Sequence, residues 1–77
     1  MEAEVFKVIQ LTGSSRKSME EAIKVAIDIA SKSLREMKWF EVVETRGSIE
    51  NGKVGEWQVT IKLGFSIEDS IFPHEKK

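Results

Sequence analysis

Trp39 and Gln58 are the residues of this chain whose types and placement point to chemistry, and that chemistry is recognition of a flat ring with a polar edge. Both lie in β-rich runs, Lys38-Trp39-Phe40-Glu41-Val42-Val43-Glu44-Thr45-Arg46-Gly47 and Trp57-Gln58-Val59-Thr60-Ile61-Lys62-Leu63-Gly64-Phe65, on either side of an Asn51-Gly52 pair. A tight hairpin turn needs positive φ, which Asn and Gly accept, so the pair predicts a hairpin with Glu50 facing Lys53. In that register Trp57, Val59, Ile61, Leu63, Phe65 and Ile67 share one face with Phe40 and Val42, the core side by simple alternation. The other face receives Trp39, Glu41, Val43 and Thr45 opposite Gly64, Lys62, Thr60 and Gln58. An indole facing a glycine leaves space above the sheet, and a long amide projects from the same surface. A flat ligand that stacks and forms hydrogen bonds suits that pattern; so does packing of Trp39 on a neighbouring subunit, since aromatics are enriched at interfaces.

The remaining candidates for chemistry are weaker. A Ser, His and Asp arrangement would have to recruit His74, the only histidine, from the end of the chain, and no glycine-rich phosphate loop occurs. Glu41 and Glu44 fall on opposite faces of an unbroken strand, so they do not form a general acid and base pair, and Glu41 is expected to face Lys62. Gly13-Ser14-Ser15 ahead of a helix reads as a turn or as an anion-binding nest. The expectation is a protein that binds and does not catalyse.

The elements that must position these residues can be read in order. Val5 to Leu11 is short, β-branched and bounded by Gly13-Ser14-Ser15, which predicts a first strand. Ser18 followed by Glu21 has capping-box spacing and predicts a helix start, and the apolar periodicity runs on to about Met37. Met19, Ala22, Ile23, Ala26, Ala30, Leu34 and Met37 form one stripe, which Val25, Ile27 and Ile29 widen to an arc of roughly 200°. One small sheet does not cover such an arc, so a second copy is expected against it unless the sheet curls around the helix. A helical crossover sets the first two strands parallel with a gap that the third, antiparallel strand fills. The fold class is therefore α+β, a βαββ chain whose three-stranded sheet has the order 1-3-2. The strand carrying Trp39 is then an edge that a native protein covers.

Composition bounds the rest. Seventy-seven residues make one domain, residues 1–68, followed by a polar tail, 69–77, in which Pro73 forbids a further strand. A chain this short buries only about 60 to 65% of its extended surface. With no cysteine and no metal-ligand cluster, oligomerisation is the device left to stabilise it. No basic segment followed by an apolar run opens the chain, and no stretch approaches the ~20 apolar residues that span a bilayer, so a soluble cytoplasmic protein is expected. Twelve basic and 13 acidic residues leave a net charge of -1, which argues against nucleic-acid binding through phosphate neutralisation.

Gly13-Ser14-Ser15 after a first strand, Lys32-Ser33-Leu34-Arg35, Trp39-Phe40-Glu41-Val42, Arg46-Gly47, Trp57-Gln58-Val59 and Gly64-Phe65 together resemble the dodecins, small flavin-binding proteins, from about Val5 to Glu68. The resemblance implies a sheet wrapped around the helix, a hollow homododecamer, and flavins (FMN or riboflavin) held in stacked pairs between symmetry-related tryptophans for storage and photoprotection. It gives Trp39 the stacking role and Gln58 the hydrogen bonds to the isoalloxazine edge. Arg46 resembles an arginine placed near the flavin phosphate, and Lys38 lies where it can add charge. Arg46 falls on the face opposite Trp39 in the hairpin register, so it reaches a ligand across a subunit boundary or a bulge near Gly47 shifts it. Some bacterial relatives carry a basic residue directly after Gly-Phe; Ser66 stands there in this chain and removes one phosphate contact. The resemblance also implies coenzyme A at an intersubunit site, with Ser33 and Arg35 as candidate contacts. The alternatives are a structural or metal-binding shell of the same fold and a flavin-dependent enzyme.

Overall fold

A computed structural model describes residues 4–67. Strand β1 (Phe6–Ser15), helix α1 (Met19–Ala30), strand β2 (Met37–Glu50) and strand β3 (Lys53–Ser66) follow one another along the chain. The sheet order is β1-β3-β2, with β3 antiparallel to both neighbours, as the crossover argument requires. The tail beyond residue 67, with His74, lies outside the described residues.

The β2–β3 turn falls on Asn51 and Gly52, whose φ values of 53° and 77° match the right-handed twist of a hairpin. Val59, Ile61, Leu63 and Phe65 of β3 are buried, and Ala22, Ala26 and Ala30 of α1 close over this strand and β1. Small alanines let the helix come near, and Gly13 lets it come nearer. A Cβ at Gly13 would strike the Ala22 carbonyl and stand 2.9 Å from the Ala26 Cβ.

That close approach corrects the reading of Gly13-Ser14-Ser15 as a turn or nest. The three residues continue β1, paired with Val59, Gln58 and Trp57. The glycine is required by the crossing helix, a tertiary cause invisible in the local sequence. The Ser15 hydroxyl then accepts from the Lys17 and Ser18 amides at 2.9 and 3.4 Å, and Ser18 caps the helix by accepting from the Glu21 amide at 3.0 Å.

The helix also ends earlier than expected, at Ala30. The Ser31 hydroxyl donates to the Asp28 carbonyl at 2.7 Å, a local bond that competes with helical geometry. Glu36 adopts φ 61°, which turns the chain into β2. Leu34 and Met37 continued the apolar period because both pack on the same core as the helix, although neither is helical.

A bulge supplies the third correction. β2 follows the expected pairing from Trp39↔Gly64 to Val42↔Ile61, then slips by one residue at Val43, so that Glu44 faces Thr60, Thr45 faces Val59 and Arg46 faces Gln58. A second slip between Ser48 and Ile49 restores the turn register. The first slip moves Thr45 to the core side and brings Glu41 and Glu44, expected on opposite faces, onto one face. Gly55 lies beneath the Glu50 side chain, which reaches Arg16 at 2.9 Å; this hydrogen bond, with the attraction of Glu50, raises the Arg16 pKa.

Candidate functional site

The face of the sheet turned away from α1 carries, on β2, Trp39, Glu41, Glu44 and Arg46 and, on β3, Gly64, Lys62, Thr60 and Gln58. The space predicted above Gly64 is filled by the indole itself. Three Trp39 ring carbons lie where a Cβ on Gly64 would stand, so the ring rests on the glycine backbone. Phe6 meets the indole edge-on, with centroids 6.1 Å apart and planes at 69°. Trp39 keeps 39% of its surface exposed, which leaves its outer side available to a planar partner.

At the other end of the face, the Arg46 Nε donates to the Gln58 Oε1 at 2.7 Å. Arg46 Nη1 stands 3.8 Å from the Glu44 carboxylate, and the Gln58 Nε2 donates to Glu56 at 3.5 Å. These four residues form one polar chain on the outer sheet face, Glu44 and Arg46 exposed and Glu56 and Gln58 half-buried. Between the two ends, Glu41 faces Lys62, and the Thr12 and Thr60 hydroxyls are bonded at 2.7 Å.

The structure thus brings Arg46 to Gln58 but does not bring Gln58 to Trp39. Both are on one face, yet Gly64, under Trp39, and Gln58 are six residues apart on β3, about 20 Å at the rise of an extended strand. The separation follows from counting residues, and alternation alone hides it. Lys38 pairs with Glu36 at 3.3 Å. It joins Ile27, Met37, Trp39, Phe40 and Leu63 around a cleft of about 210 Å³ where the helix stops short of β2. Ser33 and Arg35 are exposed in the turn after α1, where the Ser33 amide donates to the Ala30 carbonyl at 3.1 Å. Among the described residues, no group of three or more His, Cys, Asp and Glu could hold a metal ion, and no helix is long and apolar enough to cross a membrane. The residues that sequence reasoning missed are Glu44 and Glu56. Alternation alone sets Glu44 beside Arg46 and Glu56 beside Gln58; only the bulge brings the two pairs onto one face.

This three-stranded, one-helix architecture with a tryptophan laid on an outer sheet face defines a small α+β module. The family model Dodecin matches residues 5–68. The dodecin of Thermus thermophilus is 42% identical over 66 residues, covering 86% of this chain and 96% of that relative. The structure of the Streptomyces coelicolor dodecin superposes with a TM-score of 0.83 at 41% identity, covering 91% of this chain and all of that one. A calcium-chelating dodecin from Mycobacterium tuberculosis, 24% identical, shares the fold with a TM-score of 0.73 over 95% of this chain and 99% of its own. The chain belongs to the dodecin family.

Proposed function

We propose that this dodecin is a non-enzymatic flavin-binding protein that sequesters, stores and photoprotects FMN or riboflavin in stacked pairs at the subunit interfaces of a hollow homododecamer in the cytoplasm. The observation that carries the reading is the Trp39 indole resting on Gly64 with its outer side exposed. Isoalloxazine is a large, electron-poor plane. An indole stacked on it supplies contact area and an electron-rich donor, and electron transfer from Trp39 to the excited flavin quenches it.

The polar contacts come from a second copy. Because Gln58 lies about 20 Å along the strand from the indole of its own subunit, the Gln58 that meets a ring stacked on Trp39 belongs to another subunit. Arg46 and Lys38 supply positive charge for the phosphate of FMN. Exposed Val25 and Ile29 on the helix and Phe40 and Val42 on β2 favour an assembly, since a monomer would leave them in water. Coenzyme A at Ser33 and Arg35 is a further part of the proposal.

The test is titration of flavin fluorescence. Wild-type protein is expected to quench it, and Trp39→Ala to lose both the quenching and roughly 1 to 3 kcal/mol of binding, by analogy with bases stacked on aromatic side chains. Trp57 faces the core side, so Trp57→Phe should keep the quenching while costing some stability. If Trp39→Ala assembles, binds and quenches like wild type, the site is elsewhere.

A further inference from the structure

The Arg46–Gln58 hydrogen bond needs no ligand phosphate to explain it. A guanidinium only donates and a carboxylate only accepts, so the Gln58 amide, held between Arg46 at 2.7 Å and Glu56 at 3.5 Å, has one orientation: oxygen toward Arg46, nitrogen toward Glu56. One lone pair on Oε1 and one N–H on Nε2 remain for a ligand. On an open sheet face an unrestrained glutamine samples several rotamers and both amide orientations, and binding would have to freeze them. The Val43 bulge is what makes the restraint possible, because on an unbroken strand Arg46 would point to the other face.

Building on the flavin reading, we infer that Arg46 is a positioning residue that acts through Gln58, presetting its amide for the polar edge of the bound ring whether or not the ligand carries a phosphate. Glu44, 3.8 Å from the far side of the guanidinium, steadies Arg46 in turn. Two roles then divide one side chain: Nε holds Gln58, and the terminal nitrogens keep donors for a phosphate.

Riboflavin and FMN separate these roles, since riboflavin has no phosphate. Affinities for both would be measured for wild type, Arg46→Met, Gln58→Ala and the double variant, with assembly followed by sedimentation. Arg46→Met keeps the aliphatic stem and removes every donor. It is expected to weaken riboflavin about two- to tenfold, the cost of ordering one side chain at binding. In the Gln58→Ala background the same change is expected to do nothing further to riboflavin, because the residue it acts through is gone. FMN should lose the same factor and more. Riboflavin affinity unchanged in Arg46→Met, or losses that multiply in the double variant, would overturn the inference. Should Arg46→Met fail to assemble, Arg46→Lys carries the test: it keeps the charge without the planar fork, so riboflavin should weaken at least about twofold, and wild-type affinity would overturn the inference. A wild type that binds neither flavin would instead sink the proposed function on which the inference rests.

Discussion

β2 and β3 are both 14 residues long and lie side by side, yet their surroundings differ completely. On β3, Ile61 and Leu63 are 0% and 2% exposed; their partners on the same face of β2, Val42 and Phe40, are 43% and 46% exposed. β3 sits between two strands and beneath the helix, whereas β2 is an edge strand and the helix packs mainly on β1 and β3. The alternation of apolar residues is equally clear in both. A periodic apolar face therefore states that something covers it and not whether the cover comes from the same chain. In β3 the chain covers itself, and in β2 it does not.

Substitutions in the two regions should fail differently, and the largest effect is expected on β2. Phe40→Asp places a carboxylate on the bare face, where burial against a neighbour would cost several kcal/mol per subunit. Sedimentation should show the assembly replaced by small species; an unchanged assembly would mean that this face is not a contact. Gly13→Ala strikes the covered half. Its Cβ meets the Ala22 backbone, so denaturant unfolding should show a loss of about 1 to 3 kcal/mol, the usual cost of overpacking. Full stability in that variant would remove the helix–strand approach as the reason for glycine. The smallest effect belongs to the clasp between the strands. Arg16 and Glu50 are largely exposed, so Arg16→Gln should lower the melting temperature slightly in dilute buffer and not at all in high salt. A salt-independent loss would show that the pair does more than a screened surface bridge.

What the sequence made legible was whatever depends on alternation and on turn chemistry. Asn51-Gly52 located the hairpin, and Val59, Ile61 and Leu63 announced the core of β3. The strand order followed from the crossover. The features that escaped depend on contacts between distant residues. Gly13 looked like a turn because the helix that demands it arrives later in the chain. The position of Arg46 allowed for a bulge near Gly47, but Val42-Val43-Glu44 is as good a regular strand as a bulged one, so the slip at Val43 was not located and the pairing of Arg46 with Gln58 was missed. At the candidate site, the shared face of Trp39 and Gln58 was legible. Their separation along the strand was equally countable, but a single-subunit picture of the site gave no reason to count.

The indole at rest on Gly64 has a consequence in arithmetic. One of its two π surfaces is given to the backbone, so Trp39 can end a column of rings but cannot sit in the middle of one. On the proposed flavin reading the column runs from the Trp39 of one subunit to the Trp39 of a second copy, and the number of rings it would hold is set by the gap between the two. With n rings there are n + 1 contacts of about 3.5 to 4.0 Å, so a pair of flavins needs a gap of roughly 11 to 12 Å and a single flavin needs about a third less. Occupancy is then quantised by how the copies meet. A displacement of one ring thickness between subunits would change how many flavins fit while leaving every side chain of the site in its place.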